Sequence, residues 1–467
     1  MSEIISLSEY GKPIAEYRGR GILTLDNGQP VDCSFVAGQL SDGLVLILCE
    51  FRSTFYASHN SARSFRGETT DGYRIFTEYP LEGYSFLPEI HQGWPAAFHT
   101  KSLVVEPANA SGNPRTVHFG LTNFEFTASE PDEARNSLLF SLVLRNGNNV
   151  TRLQIVPVPN YDRVVEYVRV LRTTDVTCEA VIQIGSQFDL AAFADVIDNL
   201  SHLMSVARGT KVQWVYRALH DQSGALVKCE HHSRITRHYG PLSIIDGTWE
   251  QETKYFLENQ YSSYVERRAP YMLDRGMISA YLESKAEDDL IERRSIKLSV
   301  AVEMLKSAFI EQVGLGVNEF IIPRATFESL IPQLRSSMRQ TLDAAGIVPQ
   351  FRDSILSNRK LRGLNRGPDR RSFSRILREL CEHIGLQVDE AQLRMFVACR
   401  NSLIHTGRFY CATASIEDRW DCEPPPSVRD EYFFLVSFVD RIFLKLLRYT
   451  GPYRDWRTGS AERRELA

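Results

Sequence analysis

"GTWEQETKYFLENQ", residues 247 to 260, is the stretch at which the chain changes character. Before it, apolar residues come in short runs or near-alternation, as in "GILTL" (21–25), "GLVLILCEF" (43–51), "RTVHFGLTNFEFTAS" (115–129) and "SLLFSLVLRNG" (137–147), with Gly, Asn, Asp and Pro between them. A two-residue period bounded by turn formers is the pattern of half-buried strands. "KVQWVYRAL" (211–219) and "PLSIID" (241–246) read as the last strands of this region, and one helical stretch, "DLAAFADVIDNLSHLMSVARG" (189–209), interrupts it. After residue 260 the turn signals thin out and apolar residues recur at offsets of three and four. At 467 residues the chain exceeds the roughly 100–200 expected of one domain. We therefore expect an α+β multidomain protein: a β-rich N-terminal domain over 1–245, a helical connector over 246–285, and an all-α helical bundle over 286–467.

The bundle has clear candidate helices. "DDLIERRSIKLSVAVEMLKSAFIEQV" (288–313) is apolar along Leu298, Val302, Leu305 and Phe309 and again along Ile296, Val300 and Ile310, which predicts a central position. "RATFESLIPQLRSSMRQTLDAAG" (324–346) contains Pro332, which either kinks the helix or starts a second one. "RSFSRILRELCEHIG" (371–385), a helix over 389–407 and "VRDEYFFLVSFVDRIFLKLLRY" (428–449) follow, and the polar tail after Trp456 is expected to fray.

Composition excludes little but directs attention. Hydrophobic residues make up 43% and charged residues 24%, with a formal net charge of −4, so any attraction for nucleic acid must be local. The eight cysteines form no CxxC pair, and "MSEIISLSEYGKP" has neither a basic nor an apolar leader segment. No apolar run reaches the ~18 residues needed to span a bilayer. These features predict a cytoplasmic protein with no membrane partner. "CEHHSRITRH" gathers Cys229, His231, His232 and His238, but the spacing fits no closed zinc pattern and strand alternation points neighbours to opposite faces. We expect no metal and no cofactor.

The helix over 389–407 carries the candidate chemistry. Asp389 with Gln392 three residues on makes a capping-box variant, and Gly407 is a natural terminator. Leu393, Phe396, Val397, Leu403 and Ile404 form an apolar stripe, and Arg400 falls on it. A buried unpaired charge costs several kcal/mol or more, so this guanidinium needs a partner or an interface. Asn401 and His405 are four apart and share a face, whereas Arg400 is five residues from His405, about 140° around the helix. Two copies of the helix about a two-fold axis could bring both to one point.

Arg400-Asn401-Ser402-Leu403-Ile404-His405 resembles the R-N-x-x-x-H form of the motif of HEPN domains, dimerising all-helical ribonucleases common in bacterial defence systems. Its place near the end of a late helix, followed by one more helix, is similar too. The resemblance, over roughly residues 286 to 450, implies metal-independent RNA cleavage by 2′-OH attack. His405 would move the proton, Arg400 bind the scissile phosphate, Asn401 orient it, and Glu303 of the long helix hold Arg400. A β-rich half joined to such a bundle also resembles the ApeA-type anti-phage proteins of abortive infection, implying an endoribonuclease, with tRNA one candidate substrate, released by a phage-derived trigger and acting as a homodimer. The basic run "RKLRGLNRGPDRRSFSRILRE" (359–379), with Arg359, Lys360, Arg362, Arg366, Arg370 and Arg371, is the candidate RNA-binding patch. The alternatives are a catalytically inactive HEPN-type module that binds RNA or only dimerises, and a β-rich domain that binds a sugar or nucleotide with the bundle as its dimerisation arm.

Overall fold

A computed structural model describes residues 6–51, 61–83, 95–109, 112–128, 130–132, 137–185, 189–236, 240, 242–313, 324–357, 361, 373–415 and 422–466. The first eight strands are β1 (Pro13–Leu25), β2 (Pro30–Leu40), β3 (Val45–Phe51), β4 (Ser61–Thr69), β5 (Tyr73–Phe76), β6 (Leu81–Gly83), β7 (Pro95–Thr100) and β8 (Ser102–Pro107). Seven more follow: β9 (Thr116–Thr122), β10 (Glu130–Asp132), β11 (Ser137–Asn146), β12 (Asn149–Pro157), β13 (Val176–Gln183), β14 (Trp214–His220) and β15 (Leu226–His232). In the order β1-β2-β3-β7-β6-β4 they close into a ring, because β4 pairs back onto β1. Leu23, Phe35, Ile47, Phe65 and Phe98 fill its interior. From β5, on the other edge of β4, an open antiparallel sheet continues as β5-β8-β15-β14-β9-β13-β12-β11-β10.

Alternation decides which face of that open sheet is covered. On β9, Val117, Phe119 and Leu121 point into the main core, while Thr116, His118 and Gly120 face the other way. Gly120 has a specific use: a Cβ there would come within 2.2 Å of the Tyr216 ring, which lies across the neighbouring backbone. The covering layer is made of α2 (Leu190–Arg208) and α3 (Glu250–Arg268), which follow α1 (Tyr161–Leu171) in the chain. Asp189 caps α2 by accepting from the N–H groups of Ala191 and Ala192, and Gly209 ends it at φ +67. The segment expected only to connect does more, since α3 packs on β11, where the Val143 N–H donates to Glu258 Oε1 at 2.7 Å.

The remaining helices are α4 (Ile278–Glu283), α5 (Ile291–Gln312), α6 (Arg324–Ala344), α7 (Pro349–Ile355), α8 (Phe373–Ile384), α9 (Glu390–Thr406), α10 (Tyr410–Thr413) and α11 (Val428–Leu446). The long helix α5 buries Leu298, Val302, Leu305 and Phe309, and of its expected second face Ile296 and Ile310 are half-buried against the same core while Val300 is 42% exposed. Pro332 lies inside one uninterrupted α6. A single hydrophobic core runs from Phe119 and Phe140 of the sheet through Leu200 and Phe256 to Leu305, Phe396 and Val439, without a break near residue 245.

Three local expectations are corrected. The helix α1 was not foreseen among the strands. "PLSIID" is not a strand over its described residues: the Ile244 and Ile245 N–H groups bond to the Ala207 carbonyl at the end of α2, so no ladder partner is needed. The C-terminal region is not all-α, and its tail is not frayed. Strands β16 (Pro452–Asp455) and β17 (Glu462–Glu465) form a hairpin that returns to the 242–246 segment. There the Arg454 N–H donates to the Ile244 carbonyl at 2.7 Å, Arg454 Nε to Asp246 at 3.0 Å and the Trp456 indole N–H to the Ser243 carbonyl at 2.9 Å. Beneath this junction lies a fully buried ion pair, Lys285 Nζ to Asp440 Oδ1 at 2.9 Å. The Tyr281 hydroxyl donates to the same oxygen at 2.6 Å, and Lys285 also reaches the Leu242 carbonyl at 3.1 Å. Burial pushes the Asp440 carboxyl up and the Lys285 ammonium down, against the pull of each partner on the other.

Candidate functional site

Helix α9 starts and stops where its caps direct. Asp389 Oδ1 accepts from the Gln392 N–H at 2.6 Å, and Gly407, at φ +69, returns its N–H to the Leu403 carbonyl. Its buried residues are Leu393, Phe396, Cys399 and Leu403, while Ile404 is 39% exposed. The stripe is therefore centred on Cys399 and not on Arg400, which stands on its flank.

The Arg400 guanidinium has partners within its own chain. It pairs with Glu303 of α5, donates from Nη1 to Asn401 Oδ1 at 2.8 Å, and lies over the Phe373 ring of α8 at 4.7 Å from the centroid. Lys306, one turn along α5, pairs with the same Glu303 and sits 5.4 Å from the same ring. The charge was expected to need a partner or an interface, and it has a partner: the carboxylate of Glu303 and an aromatic face meet it inside one protomer. Arginine only donates, so Asn401 must accept through Oδ1. That choice leaves the Asn401 amide N–H groups to donate elsewhere.

Beside Asn401 opens a pocket of about 430 Å³, walled by Ser374 of α8, by Arg394, Ala398 and Asn401 of α9, and by Tyr410 and Thr413 of α10. Ser402 ties the two α9–α10 walls together, with Oγ donating to the Arg408 carbonyl at 2.8 Å and lying 2.7 Å from Thr413 Oγ1. Glu431 of α11 fixes the other end of α10: its buried carboxylate accepts from the Tyr410 and Cys411 N–H groups at 2.9 and 2.8 Å. A carboxylate at a helix start is favourable, and here it positions the pocket wall. The sequence reading missed this residue; an acid at the first turn of an otherwise apolar α11 was the available signal. Burial, reinforced by Glu431, pushes the Cys411 thiol up to about 11, and Cys411 and Cys422 are both free thiols.

His405 is exposed in the last turn of α9, and among the described residues nothing hydrogen-bonds its ring. It shares a face with Asn401, whereas Arg400 turns toward α5, as the spacing requires. The basic residues Arg359, Lys360, Arg362, Arg366, Arg370 and Arg371 lie outside the described residues, as do 416–421 of the loop between Cys411 and Cys422. Glu303, Arg400 and Asn401 are brought together; His405 stands one turn away, on the pocket side.

In the β-rich half, His231 and His232 point to opposite faces. His231 is buried, with Nδ1 3.0 Å from Gln39 Oε1 and Nε2 3.0 Å from the Tyr17 hydroxyl, an arrangement that suits the neutral ring. Burial, helped by His232, pushes its pKa down to about 3. His232 packs edge-on against Trp214, and Cys229 sits in the barrel core with its thiol pushed up to about 12 by burial. His238 lies outside the described residues, and among the described residues no group of three or more His, Cys, Asp or Glu is placed to hold a metal ion.

A second concavity was missed by the sequence reading. A cleft of about 890 Å³ lies on the uncovered face of the sheet, with Arg115, His118, Gln154, Gln183 and His220 along it. Beneath it, Glu179 accepts from the Tyr216 hydroxyl at 2.8 Å and lies 3.0 Å from His118 Nδ1. The polar side of β9 within an otherwise apolar run was the signal.

No family model, curated protein or solved structure matches the chain.

No helix among the described residues is long and apolar enough to cross a membrane. What can be done at the α9 site follows from its groups: a positioned guanidinium, an oriented amide, a solvent-accessible imidazole, and a pocket large enough for a nucleoside-sized ligand.

Proposed function

We propose that the chain is a metal-independent endoribonuclease of the HEPN type, working as a homodimer in abortive infection. The observation that carries this reading is the Glu303–Arg400–Asn401 chain, which runs from α5 to the pocket edge with His405 one turn beyond. Cleavage of RNA without a metal needs a base for the 2′-OH proton, an acid for the departing 5′-oxygen, and positive charge at the phosphoryl oxygens. In the proposed reaction one imidazole takes the 2′-OH proton as the 2′-oxygen attacks phosphorus. The 5′-oxygen then leaves with a proton from a second imidazole, giving a 2′,3′-cyclic phosphate. Each protomer offers one His405 in this motif, so the second belongs to a two-fold related copy, and exposed Ile404 beside it provides apolar surface for that contact. Arg400 spends N–H groups on Glu303 and Asn401 and keeps others for phosphate.

The β-rich half is assigned the control of this activity, and its cleft beside His118 offers a place for a controlling ligand, phage-derived in this reading. That cleft also favours the second reading, in which the bundle only dimerises or binds RNA and the β-rich half does the recognising. Incubation of the purified protein with tRNA and total RNA in EDTA, with the ends mapped, separates the two. Under the first, His405→Ala and Arg400→Ala each abolish cleavage while the proteins remain folded. EDTA-resistant cleavage persisting in His405→Ala would sink the assignment.

A further inference from the structure

The pocket and the motif are connected by a line of side chains that the hexapeptide alone does not include. Arg394, Asn401 and His405 are separated by seven and four residues, so all three fall within about 20° of one line along α9, spanning about 16 Å. The pocket opens between the first two, with Ala398 as its floor and Tyr410 and Thr413 opposite. Arg394 is exposed, and among the described residues no acid pairs with it, whereas nearby Arg378 is tied to Glu390 at 2.6 Å and Arg400 to Glu303. At the pocket edge, the Asn401 amide is turned by Arg400 so that its N–H groups are the ones to spare.

We propose that the pocket holds one unstacked base of a single-stranded RNA and that Arg394 binds a phosphate on the side of that base away from His405. This rests on the ribonuclease reading for the direction of the strand: past His405, past Asn401, over the pocket, to Arg394. Ligand class follows from chemistry. A concavity of about 430 Å³ that offers an aromatic wall, an amide donor and the Ser374 hydroxyl suits a planar base with polar edges. A guanidinium in line with it that no acid among the described residues engages suits the adjoining phosphate. Duplex RNA does not fit, because its bases are stacked and paired and cannot enter a pocket of this kind. Arg394 and Ala398 thus become binding and specificity residues, and Arg400 a group that orients the pocket's amide as well as serving phosphate.

The test is fluorescence anisotropy with a labelled single-stranded oligoribonucleotide, in EDTA, on full-length protein carrying His405→Ala so that no RNA is consumed. Arg394→Glu, a change at an exposed position, is expected to weaken binding at least tenfold and to lower the slope of log affinity against log salt by about one. Ala398→Phe fills the pocket and is expected to weaken binding and to level the preferences among oligo-A, oligo-C and oligo-U. Thermal melts check that both variants fold, and Arg394→Glu carries the test if Ala398→Phe does not. Affinity and salt slope unchanged in Arg394→Glu overturn the proposal, as does failure of the parent protein to bind single strands, or equal binding of a duplex. Pocket-dependent binding without cleavage by the wild-type chain removes the ribonuclease reading and leaves the pocket. Cleavage with pocket-independent binding does the reverse.

Discussion

Two of the cation–carboxylate pairs on the helical side of this molecule are built differently. Lys285 and Asp440 meet with no solvent exposure, where the chain supplies the Tyr281 hydroxyl and the Leu242 carbonyl and, among the described residues, leaves Asp440 Oδ2 without a hydrogen bond. Arg400 and Glu303 meet where the side chains are 15% and 28% exposed, beside an open pocket, with donors to spare on the guanidinium. The first arrangement is sealed from solvent, so its role is to hold parts of the fold together. The second is open on one side, so a substrate anion can be added to it without first removing a partner. Burial, more than the presence of charge, separates a structural pair from a candidate site.

The comparison can be broken most decisively at Asp440. Asp440→Ala leaves the Lys285 ammonium buried without its counter-charge, and urea unfolding is expected to show a loss of about 3–5 kcal/mol. A loss under about 1 kcal/mol would put this pair in the same class as exposed ones. The next effect concerns a buried group kept neutral instead of paired. The His231 ring takes up a proton near pH 6.5 when unfolded but only near pH 3 when folded, so the unfolded chain binds more protons between those values. Stability should therefore be full above pH 6.5 and fall as pH drops, by roughly 1 kcal/mol per pH unit below about 6. Chemical denaturation at pH 7 and pH 5 measures the slope, and His231→Gln should flatten it.

Smaller in stability, but larger in function, is Glu303→Gln. Because the pair is partly exposed, its removal should cost no more than about 1 kcal/mol. RNA cleavage in EDTA should nevertheless fall at least tenfold, because Arg400 loses the carboxylate that aims it. A drop in melting temperature as large as that of Asp440→Ala, with cleavage intact, would reverse the comparison. Arg400→Lys should have the smallest effect on the fold and still reduce cleavage, since an ammonium cannot bridge Glu303 and Asn401 with a planar fork.

How much of this was legible beforehand depended on how local the determinants are. Asp389, Gln392 and Gly407 mark the ends of α9, and caps act within one turn, so the helix and the last-turn place of His405 could be read directly. The strand-rich first half and helical second half were likewise visible as a change of period at residue 247. The meeting of Glu303 with Arg400 was expected from a resemblance, 97 residues apart in sequence, and the structure places the two groups in contact. The closure of β4 onto β1, the cleft over His118 and the route of the 242–246 segment were not readable, because each depends on which distant backbone groups become neighbours. Arg400 was misread for a related reason: the apolar stripe counted Val397 and Ile404, while burial follows Cys399, a residue whose preference for the interior is easily overlooked.

One feature of the architecture bears on how any signal could pass from sheet to bundle. Phe119, Phe256 and Val439 belong to one uninterrupted packing, so among the described residues the open sheet and the helices around α9 share a core. Close-packed matter of this kind resists compression and passes on small displacements. A ligand seated above β9 would therefore make itself felt at α9 as a change in stiffness or a sub-ångström shift, the way a tightened bolt alters the ring of a plate, and heating should melt both ends together.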